Sequence, residues 1–197
     1  MILYLHGFLS SGNSFKGQWM KAEFAALGID VLTPTYPISD PEQTAAAIDA
    51  EIHAAGLAKK KAAPWCIMGS SMGGFWGHYF AQKYRVPLVM INPVLNPTDT
   101  LSPYLGTHAN PATAEVFQLT HAYLKSLKQF ACQPDESLKT LVLLDEGDEV
   151  IPYQSAKLAF EKIATVKVFK GGDHAFQHLE DAWVEVESFV RKAGITE

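Results

Sequence analysis

The sequence predicts an α/β fold, a parallel sheet of about six strands with helices on both faces, from three observations. Short apolar runs alternate with segments of helical periodicity along most of the 197 residues. The apolar runs are nearly continuous instead of alternating with polar residues, as strands covered on both faces require. One run, Trp65-Cys66-Ile67-Met68, passes directly through Gly69-Ser70-Ser71-Met72-Gly73-Gly74 into a helical segment. Such a strand–turn–helix junction, made of very small residues, is tight enough to hold up a single side chain.

Taken in order, Met1 to His6 reads as a buried strand leaving the sheet at Gly7. Phe15, Trp19, Met20, Phe24 and Leu27 have helical spacing, and Gly28 stands where a helix-ending glycine belongs. Ile29 to Thr33 is a second strand, stopped by Pro34-Thr35-Tyr36-Pro37. Glu42 to Ala55 is an alanine-rich helix with Ile48 and Ile52 four residues apart. Pro64 to Met68 is the third strand, and Phe75 to Tyr84 the helix after the tight turn. Pro87 to Ile91 is the fourth strand, closed by Asn92-Pro93. After a break, Thr140–Leu144 and Thr165–Phe169 read as strands, Gln154–Ile163 and Leu179–Lys192 as helices. In the last of these, Leu179, Trp183, Val186, Phe189 and Val190 form one apolar stripe.

The break runs from Val94 to about Ser137, with no strand signal and one expected helix, Ala112 to Phe130. It is too long for a plain connection, so it is expected to be a cap or lid inserted over one end of the sheet. With no internal repeat and no low-complexity linker, residues 1–197 read as one domain carrying that insertion at 94–137.

Composition narrows the function. The chain is 48% hydrophobic and 19% charged with a net charge of −5. Its longest basic run is Lys59-Lys60-Lys61, read as a solvated helix end. Nucleic-acid binding, which needs a concentrated cationic surface, is therefore not expected. Two cysteines, Cys66 and Cys132, do not make a disulfide framework, and Cys66 lies in an apolar run. No stretch reaches the length of a membrane span, and the first residues lack the pattern of a secretion signal. A cytoplasmic protein with no obligatory protein partner is the expectation.

Ser71, at the centre of the Gly-x-Ser-x-Gly turn, is the candidate nucleophile. On its own the pentapeptide is also an ordinary turn, so the decision rests on the company it keeps. A nucleophilic serine needs a base, a group that orients the base, and donors for the oxyanion. Of seven histidines, only His174 lies in a short loop after the last strand, within Gly171-Gly172-Asp173-His174-Ala175-Phe176. His178 is nearby but at or in the final helix. For the orienting acid, Asp148 follows Gly147 after the fifth strand; Asp145 and then Asp173 are the alternatives. The backbone N–H groups of Met72 and of Phe8, in the loop after the first strand, are the candidate oxyanion donors. His6 is expected to orient that loop by hydrogen bonding. With strand order second, first, third, fourth, fifth, sixth, the switch point lies between the two strands leading to Phe8 and Ser71, where ligands bind in open α/β sheets.

The order Ser71, Asp148, His174 resembles that of the α/β-hydrolase superfamily. Leu3 to Phe8, Gly69 to Gly74, Asn92-Pro93, Tyr104-Leu105-Gly106, Gly147 to Val150 and Gly171 to Phe176 together are similar to compact bacterial esterases of the YqiA type. The resemblance spans nearly the whole chain. It implies an α/β-hydrolase fold and a serine esterase, without metal or organic cofactor, acting on small to medium acyl esters or thioesters. Rival readings are an acyl thioesterase or carbon–carbon bond hydrolase on the same residues, or a catalytically silent ligand-binding protein of this fold. Tyr104, Phe117, Leu119, Tyr123, Leu124 and Phe130 supply enough apolar surface for an acyl chain, or equally the buried face of a cap helix.

Overall fold

The computed structural model describes residues 1–59 and 63–195. In chain order its elements are β1 (Ile2–Leu5), α1 (Phe15–Ala25), β2 (Val31–Leu32), α2 (Pro41–Ala54), β3 (Cys66–Ser70), α3 (Met72–Tyr84) and β4 (Leu88–Ile91). There follow α4 (Pro97–Leu101), β5 (Gly106–Ala109), β6 (Val116–Leu119), α5 (His121–Leu127), β7 (Thr140–Asp145), α6 (Tyr153–Phe160), β8 (Thr165–Phe169) and α7 (Leu179–Lys192). Six of the strands form one sheet in the order β2-β1-β3-β4-β7-β8, every neighbouring pair parallel. The sheet thus meets the condition under which the switch point lies between β1 and β3.

Alternate residues of each strand point to opposite faces of the sheet, so the core divides in two. Leu3, Leu5, Ile67, Leu88, Met90 and Val142 pack under α2, α3 and α6. Ile2, Tyr4, Met68, Val89, Ile91 and Leu143 pack under α1 and α7, where Met20, Phe24, Val186 and Val190 complete the layer. Most boundaries fall within two residues of the sequence expectation. The third strand extends to Ser70, so the sheet leads straight into the turn, and α3 begins at Met72. Helix α2 ends at Ala54, five residues before Lys59, which corrects the reading of the lysine run as a helix end. Lys60 and Lys61 lie outside the described residues. Among those residues no helix is long and apolar enough to cross a membrane.

The insertion differs from expectation. Instead of one helix over Ala112–Phe130, β5 and β6 form an antiparallel hairpin, followed by the short helix α5 and a 3-10 turn at Lys128–Phe130. The reversal is made by Asn110. Its N–H donates to the Glu115 carbonyl at 2.7 Å and its side-chain oxygen accepts from Ala112 N–H at 3.0 Å. After the turn Val116, Phe117, Gln118 and Leu119 alternate outward and inward, a two-residue period too short to stand out beside the aromatic spacing. Thr120 then opens α5, its hydroxyl accepting from Tyr123 N–H at 3.1 Å. The hairpin is tied down: Asn110 donates to the Ser10 carbonyl at 2.9 Å, and the Glu115 carboxylate accepts from the N–H groups of Ile38 and Ser39.

Two close approaches determine where the strand ends lie. A methyl group on Gly73 would overlap the Leu5 carbonyl oxygen, so α3 can start against the end of β1 only with glycine there. Gly172 has φ of 72°, and a methyl group there would overlap the Asp145 carboxylate. That carboxylate, fully buried, accepts from His178 Nδ1 and from Gln177 N–H, both at 2.7 Å, and from Asp173 N–H at 3.3 Å. Asn92, 2% exposed and directly after β4, accepts from Asp145 N–H at 2.9 Å and donates to the Asp173 carbonyl at 3.0 Å. The ends of β4 and β7 and the loop after β8 are thus bound into one buried polar network.

Replacing Asn92 by Ala would leave the buried Asp145 N–H without its partner, at about 1–3 kcal/mol for a group left unsatisfied, while the Asp173 carbonyl keeps the Phe176 N–H. Urea unfolding at pH 7 is expected to show a loss of about 1–3 kcal/mol, and a loss no larger than that of an ordinary surface substitution would contradict this account. A second prediction concerns pH. His78, buried on α3 against Phe160, has its imidazole pushed down to about 4 by burial, with Asp135 opposing the shift weakly. The unfolded chain takes up this proton near the ordinary value, so the stability it confers is complete above about pH 6.5 and is lost as pH falls toward 4. His78→Leu is expected to reduce the stability difference between pH 7 and pH 5 by on the order of 1–2 kcal/mol, measured by thermal unfolding; an unchanged difference would contradict it.

Candidate active site

Ser71 stands between β3 and α3 with φ of 56° and ψ of −123°, a conformation that costs a residue with a side chain about 1–3 kcal/mol. Its surroundings hold it there. Ser71 N–H donates to the Ile91 carbonyl at 3.0 Å, and its own carbonyl accepts from Gly74 N–H at 2.9 Å and Val94 N–H at 3.1 Å. The side chain is thereby lifted above the strand ends at the switch point.

His174 comes to meet it. Its Nε2 lies 3.0 Å from Ser71 Oγ, and its Nδ1 lies 2.9 and 3.0 Å from the two carboxylate oxygens of Asp148. An ionised carboxylate can only accept, so with Nδ1 donating to it Nε2 is left to accept from the Ser71 hydroxyl. The Asp148 side chain is 1% exposed, and its Oδ1 also accepts from Val150 and Ile151 N–H at 2.9 and 2.8 Å. These backbone donors fix the carboxylate independently of the histidine. Glu149, which the sequence did not single out, accepts from His174 N–H at 3.0 Å. The other two acid candidates are engaged elsewhere: Asp145 by His178 and the loop backbone, Asp173 by Ala175 N–H and Gln177.

The loop after β1 lies against the serine: a methyl group on Gly7 would sit 3.3 Å from Ser71 Cβ. Phe8 follows, then Leu9 with φ of 52°. Among the described residues neither Phe8 N–H nor Met72 N–H donates to a protein acceptor. Met72 is the first residue of α3, where the aligned peptide dipoles favour negative charge. His6 is buried, stacked on Tyr36 with ring centres 3.9 Å apart, and its Nδ1 donates to the Gly7 carbonyl at 2.9 Å. Burial pushes its imidazole down to about 4, so it is neutral near pH 7. Tyr36 in turn donates from its hydroxyl to the His6 carbonyl at 2.6 Å.

The remaining histidines are apart from this cluster, with one partial exception. His53 is exposed beside Asp49, His78 is buried on α3, and His121 opens α5. His108, on β5, reaches the edge of a cavity that opens on Ser71.

Two cavities meet at Ser71 and His174. One, of about 530 Å³, runs along the start of α1, where Ser10, Ser14, Phe15 and Lys16 face Glu149. Lys16 Nζ donates to the Ala175 carbonyl at 2.7 Å, and burial pulls its ammonium below the ordinary lysine value. The other, of about 200 Å³, lies between Phe8, Met72 and the insertion residues Thr100, Leu101, Tyr104 and His108. Of the six apolar insertion residues weighed as an acyl surface, only Tyr104 lines a cavity at Ser71; Phe117, Leu119, Tyr123, Leu124 and Phe130 belong to the core. Thr100, Leu101 and His108 carry no local motif, and only the position of the insertion could have pointed to them.

Solved structures share this architecture. A putative hydrolase from Agrobacterium vitis S4 superimposes with a TM-score of 0.77 at 18% identity, over 96% of this chain and 87% of its own. Est1E from Butyrivibrio proteoclasticus, solved with ferulic acid bound, gives 0.75 at 14% identity, over 98% and 88%. The mouse alpha/beta hydrolase domain-containing protein 10 gives 0.73 at 16%, over 97% and 89%. At such identities the likeness establishes the α/β-hydrolase fold. Residues 1–191 match the model of an uncharacterised protein family, UPF0227, and with the YqiA-type motifs already noted the chain belongs to that family.

Proposed function

We propose that the protein is a serine hydrolase that cleaves small to medium acyl esters through an acyl-enzyme. The observation that carries this reading is the position of one imidazole, 3.0 Å from the Ser71 hydroxyl and 2.9 Å from the Asp148 carboxylate. Ser71 Oγ attacks the ester carbonyl carbon while His174 Nε2 takes the hydroxyl proton. The carbonyl oxygen becomes an oxyanion, held by Phe8 and Met72 N–H. As the oxyanion collapses, the bond to the alkoxy oxygen breaks and His174 returns the proton to the leaving alcohol. Water then repeats the sequence on the acyl-enzyme, with His174 taking its proton, and releases the acid and the free serine. Asp148 keeps the imidazole in the required tautomer and stabilises it when protonated, without taking the proton itself.

The backbone strain at Ser71, the neutral His6 beside the donor loop and the free donors at Phe8 and Met72 all support this reading. Est1E, solved with ferulic acid bound, supports it as analogy, since one fold serves many reactions.

Two substitutions test it on a p-nitrophenyl ester. Ser71→Ala is expected to lower kcat by on the order of 10⁴–10⁶ with KM little changed, and near-normal turnover would rule Ser71 out as the nucleophile. Asp148→Asn is expected to lower kcat by on the order of 10²–10⁴, the cost of an imidazole in the wrong tautomer. If Asp145→Asn were the more damaging of the two at equal folded fraction, the assignment of the orienting acid would pass to Asp145. Running oxygen esters and thioesters in parallel identifies the preferred leaving atom.

A further inference from the structure

The two cavities at Ser71 differ in a way that assigns them. Phe8 and Val150 line both; to the apolar Tyr4, Phe15 and Ala175 the larger one along α1 adds both signs of fixed charge, Lys16 and Glu149, and the hydroxyls of Ser10, Ser14 and Ser70. Among the described residues the smaller one has no Asp, Glu, Lys or Arg in its lining; Phe8, Leu9, Met72, Val94, Leu101 and Val150 supply its walls. An alkyl chain gains free energy by leaving water for the second kind of surface, whereas in the first it would also lie against Lys16 and Glu149 and displace the water that remains on them without replacing it. Resting on the hydrolase reading, we propose that the smaller cavity is the acyl subsite, that it accommodates a straight chain of about eight carbons, and that the charged cavity receives a polar leaving group.

The length follows from volume. A water-sized group takes about 30 Å³ in a liquid, and a methylene is about as large. A space of about 200 Å³ therefore takes roughly six or seven of them beyond the carbonyl carbon held at Ser71. Tyr104, at 50% the most exposed residue of the lining, marks the side on which the cavity opens to solvent. Carbons beyond it lie in water and gain little. The subsite thus has a filling length and no sharp cut-off.

Tyr104 is held at that end by the hairpin. His108, in β5, donates from Nε2 to the Tyr104 carbonyl at 2.6 Å, and its ring meets Phe8 edge to face at 6.0 Å. The hairpin is itself tied through Asn110 to Ser10, in the loop that leads away from Phe8. The insertion therefore fixes the outer wall of the subsite relative to the donor loop, although most of its own aromatic residues are spent on the core.

The test uses two homologous series on the purified protein: acyl chains from two to sixteen carbons on a constant p-nitrophenol, and alcohols of rising length on a constant acetyl group. The acyl series is expected to raise kcat/KM by up to roughly fourfold per methylene to about eight carbons, then level off. The alcohol series is expected to lack this rise. Thr100→Phe, which fills the cavity from a half-buried position, is expected to level the acyl series several carbons earlier. Tyr104→Ala, which opens the outer end, is expected to level it later. Ser10→Phe, in the charged cavity, is expected to leave the levelling point in place. A rise in the alcohol series instead, or a levelling point that moves with Ser10→Phe and not with Thr100→Phe, overturns the assignment. Calorimetric binding of straight-chain alkanoates to Ser71→Ala separates this inference from the hydrolase reading. Affinity that climbs to about eight carbons and is blunted by Thr100→Phe supports the subsite even if no ester is turned over. Affinity that is independent of length contradicts it even if esters are hydrolysed.

Discussion

The packing of α3 against the end of β1 is the constraint on which the rest of the site depends. At Gly73 the helix approaches the Leu5 carbonyl so closely that no side chain fits between them. That contact fixes the first turn of α3 against the loop that carries Phe8, and it forces the chain at Ser71 into a backbone conformation that a side chain resists. The strain is sustained because the hydrogen bonds to Ile91, Gly74 and Val94 leave the turn no other arrangement. Proposed nucleophile and proposed oxyanion donors are thus set by one contact between a helix and a strand.

The second requirement is to bring a histidine from more than a hundred residues downstream to within hydrogen-bond distance of that serine. The loop carrying His174 has no regular structure of its own, and its position is imposed from below. Asp145 and Asn92, both buried at strand ends, bind the loop through the backbone of Asp173 and Gln177 and the imidazole of His178, while Asp148 and Glu149 bind His174 from the neighbouring loop. Two Asp–His pairs lie side by side with different tasks. Asp145–His178 secures the loop in the interior, and Asp148–His174 faces the cavities. Buried polar groups that are fully partnered make such a loop rigid, and rigidity is what a proton-transfer geometry needs.

The sequence exposed those parts whose physics is local. The run of glycines around Ser71, the apolar character of the strands and the loop positions of Asp148 and His174 each leave a signature within a few residues. The strand order is a condition and not one of those signatures: given that order, the switch point falls beside Phe8 and Ser71, and the sheet has it. The roles of Asn92, Asp145 and Glu149 were not legible in the same way, since each depends on partners brought together by the completed sheet. In the insertion, Phe117, Leu119, Tyr123 and Leu124 have spacings compatible with a helix, and an Asn110 turn that bonds to Ser10 and Glu115 decides for a hairpin. One of those contacts, Asn110 to Ser10, joins residues a hundred apart, which no local periodicity records.

The central claim is that Ser71 is an activated nucleophile. The most direct measurement is treatment of the folded protein with a fluorophosphonate, followed by peptide mass spectrometry to locate the phosphonyl group. The account predicts a single adduct on Ser71, formed rapidly in the wild type and much more slowly in His174→Ala. Absence of an adduct on Ser71 in the folded protein, or labelling at the same rate without His174, would contradict it.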